Sequence, residues 1–502
     1  MTDPHTLFPN TDRKHSLIQI SQGLGLLKTG AHGDVEPCGI CDDSRQIKPG
    51  YAYLCMPRSD RYANEYAQTA MQNGALAVIS VGIPVQVDLP VLQLDSMQQL
   101  GIFLRRWFET EQASTNLIGI TGTDGKTSVT WMLREALRGK LHQSTWSSGT
   151  LGWINDDDDM RDIGNTTPAL LTMHALLATA QDKAICNIVS EISSHGIAQE
   201  RITGLDFHTA IWTSMGHDHL QDHGGYDKYL TTKAGFINAC AEQGAHIIAN
   251  ADHPDICSRA PAGSRWYGHG LNRDDIDLTW EQELPGMVRL RHKNEEVLIE
   301  DIPLGGFHAE NIACVALTLI TSMGVSIKQL PSLLDGISAP PGRMQDLSAG
   351  LWQVFIDYAH TPEALKRCLE AARTLTRNRL LLVFGCGGER DREKRPQMGE
   401  TAAQMADVVW ITSDNPRGEL PEVIASEIEH GITRPYPAKI RLQLDREQAI
   451  AAAVAELQPG DTLVIAGKGH ETYMEISGSR LAWSDSDIAN KYLACKGIKA
   501  CA

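Results

Sequence analysis

Leu117-Ile-Gly-Ile-Thr121 runs without a break into Gly122-Thr-Asp-Gly125-Lys126-Thr127-Ser128. The first five residues read as a buried strand. Val129, Met132, Leu133, Ala136 and Leu137 then recur at helical spacing. A strand, a glycine loop and a helix in that order point to an open α/β sheet. Backbone amides of such a loop, together with the positive end of the following helix, form a cradle for phosphate. Lys126 is placed to neutralise the β- and γ-phosphates, and the Thr127 hydroxyl to meet Mg²⁺. The full GxxxxGK[ST] pattern would need a glycine where Ile120 stands. The spacing therefore predicts nucleotide binding by Gly122, Thr123, Asp124, Gly125, Lys126, Thr127 and Ser128 through a shortened loop.

Further buried strands are expected at 184–191, 210–214 and 245–250, with helical segments between them. This gives a mostly parallel sheet over roughly 114–343. Before it, Tyr51-Ala-Tyr-Leu-Cys-Met56 reads as a strand, 64–73 as a helix closed by Gly74, 75–80 as a strand and 100–108 as a helix. After the linker Pro340-Pro-Gly342, strands are expected at 354–357, 380–384, 408–412 and 462–466. A helix is expected over 446–457 with Asp445 as its cap. This last part reads as a Rossmann-like α/β domain. At about 150 residues per domain, 502 residues suggest roughly three. The expected division is 1–113, 114–343 and 344–502, all α/β.

A net charge of −17 argues against non-specific nucleic-acid or anionic-membrane binding. No run of about 18 apolar residues is present, so a membrane span is not expected. The start of the chain lacks the basic and apolar regions of a signal peptide. Eleven scattered cysteines fit reduced thiols in a cytoplasm. Cys38-Gly-Ile-Cys41 has no second pair to complete a zinc site and reads as two ordinary thiols. The acid run 156–159 reads as a solvated turn.

Glu191 ends an expected buried strand and is followed by Ile192-Ser-Ser-His195-Gly196. A carboxylate at the carboxyl edge of a parallel sheet faces the same crevice as the phosphate loop, where it suits Mg²⁺. A helix cap or a salt bridge is the plainer alternative. His217-Asp-His-Leu-Gln-Asp-His223 is dense in potential ligands, although each histidine taken singly is more often structural.

Together these segments resemble the Mur ligase family. Its phosphate loop, usually GTNGKT, is Gly122-Thr-Asp-Gly-Lys-Thr127. Its EVSSH motif is Glu191-Ile-Ser-Ser-His195, and its DHLxxHG is Asp218-His-Leu-Gln-Asp-His-Gly224. There follow Gly342-Arg-Met344, Asp357-Tyr-Ala-His-Thr-Pro362, Gly385-Cys-Gly-Gly-Glu-Arg390, Asp414-Asn-Pro-Arg417 and Gly467-Lys-Gly-His-Glu471. The match runs in order from about residue 42 to 475.

The resemblance implies an ATP- and Mg²⁺-dependent ligase. It would join meso-diaminopimelate to UDP-N-acetylmuramoyl-L-alanyl-D-glutamate through an acyl phosphate, in peptidoglycan synthesis. Lys126, Glu191, His219 and Lys233 would carry the chemistry, with Thr127, Glu191 and His219 around the metal. Lys233 would be carbamylated and would orient a second Mg²⁺. Asn311, Arg343, Asp357 and His360 would help hold ATP. Ser44, Asn165, Thr166, Thr167, Ser193, Gln199 and Arg201 would bind the UDP-linked substrate. For the amino acid, Arg390 and Arg417 suit the far carboxylate as guanidinium forks. Asp414, Asn415 and Glu471 would receive the ammonium, with Pro416 and Gly467 supplying backbone. The family also implies a cytoplasmic monomer. A lysine-adding ligase, a ligase for another acceptor, and a phosphate-loop ATPase without ligation are the alternatives. Two departures stand out. Asp124 replaces the usual asparagine, which places an anion beside the nucleotide, and Ser59-Asp-Arg61 diverges from the usual uridine loop.

Overall fold

The computed structural model describes residues 14–56, 60–216, 224–271, 275–348 and 351–500. The segments 217–223, which includes His219, and 57–59 lie outside the described residues, as do the side chains of Asp60 and Arg61. The contacts divide the chain into two compact units. One comprises 1–267 with 317–325, the other 268–316 with 326–502.

The first unit holds two sheets. In the smaller, the strand order is Leu26–Lys28, Val91–Leu94, Ala77–Val81, Ala52–Cys55 and Ile40–Cys41. Only the first pairing is antiparallel. The expected strands fall within a residue or two of these. The helix expected over 64–73 begins earlier, spanning Asp60–Gln72. Helix Met97–Trp107 is capped by the Ser96 hydroxyl and buries Leu100, Phe103, Leu104 and Trp107. Those residues share one core with Leu117 and Ile188 of the second sheet, so the two sheets fold as one unit. The close approach is glycine-dependent: a Cβ on Gly101 would lie 2.7 Å from Gly204 Cα.

The second sheet runs Arg265–His269, His246–Asn250, Thr209–Trp212, Asn116–Thr121, Asn187–Glu191 and Thr145–Gly149, all parallel. Two short antiparallel strands, Gly152–Ile154 and Met160–Arg161, extend its edge. The phosphate-loop strand is thus central, and Glu191 ends its neighbour, in register with Ile120. The acid run is more than a solvated turn. Arg134, nearly buried at the end of the phosphate-loop helix, bonds Asp158 at 2.9 Å, and Arg138 joins it at 3.0 Å.

In the second unit, Leu278–Leu284, Met287–His292 and Glu295–Ile299 pair antiparallel. Within 114–343 the expected mostly parallel strands are thus followed in sequence by an antiparallel set. These strands alternate charged and apolar residues with a Pro-Gly turn between the first two, a hairpin pattern. The larger sheet runs Gln345–Asp346, Gln353–Asp357, Thr462–Ala466, Leu380–Phe384, Val408–Ile411 and Lys439–Leu442. All pairings but the first are parallel. Helix Arg446–Glu456 starts as expected, with the Asp445 carboxylate accepting from Gln448 N. A hairpin, Tyr473–Ile476 with Ser479–Ala482, precedes helix Asp485–Ala500.

Cys38 and Cys41 donate to separate backbone carbonyls, Gly50 O and Asp43 O, and both are free thiols. Among the described residues no helix is long and apolar enough to cross a membrane.

Candidate active site

In the first unit the phosphate loop turns on two glycines. Gly122 has φ 153° and Gly125 φ 86°. A Cβ on Gly122 would lie 2.0 Å from Thr213 Oγ1, so this position admits no side chain. Asp124 is pinned by its backbone. Its amide donates to Ser214 Oγ, and its carbonyl accepts from Thr213 Oγ1 at 2.6 Å and Ser214 Oγ at 3.0 Å. Its side chain is exposed.

Lys126 Nζ donates to Gly122 O and Thr123 O, each at 2.8 Å. Lys233, on helix Tyr226–Glu242, reaches the same Gly122 O at 2.8 Å and lies 4.7 Å from the Tyr229 ring centroid. Lys233 is only 1% exposed. Two amines therefore converge on one carbonyl of the loop, within twice that bond length of each other.

Thr127, the second residue of helix Lys126–Glu135, donates to Glu191 Oε2 at 3.0 Å. Glu191, fully buried, also accepts from Thr150 N at 2.9 Å and Thr150 Oγ1 at 3.0 Å. A Cβ on Gly149 would stand 2.2 Å from Glu191 Oε1, which accounts for glycine there. Thr150 Oγ1 lies 3.4 Å from Thr166 Oγ1. Thr167 Oγ1 donates to Glu191 O at 3.0 Å, and Ser193 N donates to Thr167 Oγ1 at 2.8 Å. Arg201 holds Thr167 O at 2.8 Å and Gln199 Oε1 at 2.6 Å. Thr166, Thr167, Ser193, Gln199 and Arg201 thus form one network with the phosphate loop. Asn165 precedes it, exposed. Ser44, in the turn after strand Ile40–Cys41 of the smaller sheet, is buried, its carbonyl accepting from Asn73.

In the second unit, the Asp357 carboxylate is consumed by backbone amides, Met344 N at 2.8 Å and Ala359 N at 2.7 Å. Burial pushes its carboxyl above the usual range, against the pull of the Arg343 guanidinium. Arg343 stacks 4.6 Å over Tyr358, and His360 packs against the same ring. Asn311 is buried on helix Gly306–Met323.

Three loops at the carboxyl ends of the parallel strands bring the remaining residues together, where ligands of open α/β sheets bind. A Cβ on Gly387 would lie 3.0 Å from Arg417 Nη1 and 3.7 Å from Arg390 Cγ, so both arginines flank that glycine. Arg390 is exposed. Arg417, at φ 52°, donates to Gly388 O at 2.8 Å and lies 3.3 Å from Glu475. Asp414 is buried, bonds Asn415 N at 2.6 Å, and is pushed up by burial, opposed by Arg446 and Lys468. A Cβ on Gly467 would fall 2.7 Å from Asp414 Oδ2. Asn415 Nδ2 donates to Glu471 Oε2 at 2.8 Å. Pro416 closes against Gly388, whose Cβ would meet Pro416 O at 2.0 Å.

Several contributors escaped sequence reasoning. Thr150, Thr213, Ser214 and Tyr229 sit outside the recognisable motifs. Arg446, Arg395 and Lys468 look like surface cations in sequence but are fully buried.

The Mur ligase middle domain family matches residues 120–319, and the Mur ligase, glutamate ligase domain family matches 342–469. The chain belongs to the Mur ligase family. It is 31% identical over 491 residues to a UDP-N-acetylmuramoyl-L-alanyl-D-glutamate–2,6-diaminopimelate ligase of Syntrophomonas wolfei, covering 96% of this chain and 99% of that one. The Rhizobium meliloti protein of the same name is 34% identical, over 92% and 96% of the two chains. A solved structure of a ligase of that name aligns with a TM-score of 0.67 at 27% identity, covering 97% of this chain and 100% of the other. The MurF ligase of Thermotoga maritima, solved with ADP, shares the fold at a TM-score of 0.60 and 17% identity, over 92% and 98%.

Proposed function

We propose that the protein joins meso-diaminopimelate to UDP-N-acetylmuramoyl-L-alanyl-D-glutamate at the expense of ATP, in peptidoglycan synthesis. The observation that carries this reading is the continuous hydrogen-bonded path from the phosphate loop to the hydroxyl-rich segment. It runs from Thr127 through Glu191 and Thr150 to Thr166. Such a path suits a reaction in which a phosphate is passed to a bound carboxylate beside it. The full-length relatives carrying this activity in their names support the choice of substrates.

The γ-phosphoryl group passes from ATP to a carboxylate at the glutamyl end, leaving ADP and an acyl phosphate. The amine of diaminopimelate then attacks the acyl carbon. The tetrahedral intermediate collapses with loss of phosphate and a proton, and an amide bond remains. The nucleophile comes with the substrate, so the chain supplies positioning and charge. Lys126 meets the phosphates, and Thr166, Thr167, Ser193 and Arg201 hold the sugar-peptide. Ser44 takes part at the uridine end. Arg390 and Arg417 clamp the far carboxylate, and Glu471 meets the ammonium.

Thr127 Oγ1 and Glu191 Oε2 offer a hydroxyl–carboxylate oxygen pair, which fits Mg²⁺, an ion bound by one or two carboxylates plus phosphates. Among the described residues no cluster of three His, Cys, Asp or Glu is arranged for a metal. His219 is the proposed third ligand. The ion would supply charge neutralisation at the phosphate oxygens.

We propose Lys233 as a carbamate. Its amine, held at Gly122 O beside Lys126, would add carbon dioxide with loss of a proton. The proposed functional parts are 1–113 for the uridine end, 114–343 for ATP and 344–502 for the amino acid. The working form is proposed to be a cytoplasmic monomer.

The deciding experiment is ADP release with the UDP-dipeptide, offering meso-diaminopimelate and L-lysine in parallel. Turnover with diaminopimelate alone is expected. Turnover only with lysine would overturn the acceptor. ADP release that needs neither amino acid nor UDP-dipeptide would reduce the protein to an ATPase.

A further inference from the structure

We propose that Lys468 is a specificity-determining residue: its buried ammonium sets the charge of the amino-acid pocket so that it prefers a zwitterionic side-chain end over a lone ammonium. The inference rests on the amino-acid pocket proposed above.

Lys468 follows strand Thr462–Ala466 and is 0% exposed. Its Nζ donates to Asn415 Oδ1 and to Glu471 Oε2, each at 3.0 Å. The Asn415 Nδ2 bond to the same Glu471 oxygen, at 2.8 Å, closes a triangle between two loops. Glu475 N adds a second donor to Asn415 Oδ1 at 2.9 Å. The amide is therefore fixed in orientation, and its oxygen is engaged by two donors of the protein. Of the three groups expected to receive the substrate ammonium, Asn415 offers no spare oxygen. Asp414 is buried and bonded to the backbone. Glu471 remains, with Oε2 held by the triangle and Oε1 outside it.

Glu471 is half-buried, and with no countercharge its carboxylate would draw in any cation, since unpaired charge is costly away from water. Lys468 removes that bias. Glu471 is matched by Lys468 and Arg417 by Glu475, so these two pairs bring no net charge to the wall of the pocket. The far end of meso-diaminopimelate, one ammonium and one carboxylate, brings no net charge to it. The end of L-lysine brings an uncompensated positive charge next to a buried ammonium. Lys468 thus acts on selection through Glu471 and Asn415 without touching the substrate.

The test uses the full-length protein with Lys468→Gln, which retains a donor without the charge, and Lys468→Met, which retains neither. Steady-state kcat and KM are measured for meso-diaminopimelate and L-lysine at saturating ATP and UDP-dipeptide. Losing hydrogen bonds to a charged group predicts a rise of about 10- to 100-fold in KM for diaminopimelate in Lys468→Met. The KM for ATP should stay within about twofold, a split that general loosening would not produce. The preference for diaminopimelate over lysine, as a ratio of kcat/KM, should fall at least about tenfold in both variants, the size of one well-placed charge interaction. Lys468→Arg should restore part of it.

An unchanged ratio in a folded Lys468→Gln overturns the proposal. Loss of ATP-induced thermal stabilisation in both Gln and Met variants would make the residue structural only, and also overturns it. Wild-type protein that fails to use diaminopimelate would instead sink the underlying reading of the pocket.

Discussion

Asp485→Asn should unfold the second unit far more easily than its isosteric size suggests. Asp485 and Arg446 are both 0% exposed and form a two-pronged ion pair, Nε to Oδ1 at 2.8 Å and Nη2 to Oδ2 at 2.6 Å. The same guanidinium bonds Ala466 O at 2.9 Å and Ser413 O at 3.1 Å, and Trp483 Nε1 bonds Asp485 Oδ1 at 2.9 Å. An amide in place of the carboxylate leaves a buried guanidinium without its ion-pair partner and turns an NH₂ toward its donors. Breaking one half of such a pair costs about 3–5 kcal/mol. No discount for solvent applies, because neither partner is exposed. For a unit of about this size, each kcal/mol lowers the melting temperature by roughly 2–4 °C. Calorimetry should therefore show a transition lowered by about 6–20 °C. A fall under about 3 °C would refute the claim that this pair is electrostatically closed. A double variant, Arg446→Met with Asp485→Leu, should recover part of the stability, since a buried pair is often replaceable by apolar residues. It should leave KM for the amino acid raised, because Ser413 O and Ala466 O lose the donor that holds the two loop stems.

Two further outcomes are expected. Arg395 and the Glu389 amide hold the Glu419 carboxyl at about 2, below its ordinary 4.5. The stabilisation is therefore present above about 4.5 and lost as pH falls toward 2, so Glu419→Gln should flatten the acid limb of a stability–pH curve measured by urea unfolding. An unaltered acid limb would show that the pairing does not hold in solution. Asp124→Asn removes an exposed anion from the phosphate loop. KM for ATP should drop by about two- to fivefold, the range of a screened surface charge, and an unchanged value would remove the carboxylate from the nucleotide's field.

The strands that bear the chemistry were legible because parallel strands buried on both faces write themselves as short apolar runs. Asn116–Thr121, Leu380–Phe384 and Thr462–Ala466 all do so. The Asp445 cap was equally plain, since a side-chain acceptor just before a helical run has one local job. The antiparallel hairpins at 278–299 and 473–482 were not, because their alternating, half-exposed faces lack the continuous apolar run of a strand buried on both sides. Thr150 illustrates the same limit within the site. It approaches Glu191 only because strand Thr145–Gly149 pairs beside Asn187–Glu191, a register that no local pattern encodes.

Charge was the least legible property, and the reason is physical. A lysine or arginine in sequence carries no mark of its burial, and the default for such a residue is a solvated surface. Arg395, Arg446 and Lys468 break that default in one region, each bonded to loop carbonyls or side chains just past the strand ends. Strand ends expose carbonyls that no ladder partner satisfies, and glycine-rich loops add more. An internal cation answers several of them at once while leaving the outward edge of each loop unoccupied. The loops can then be both short of side chains and fixed in place. A pocket that must tell one charged end group from another needs that combination.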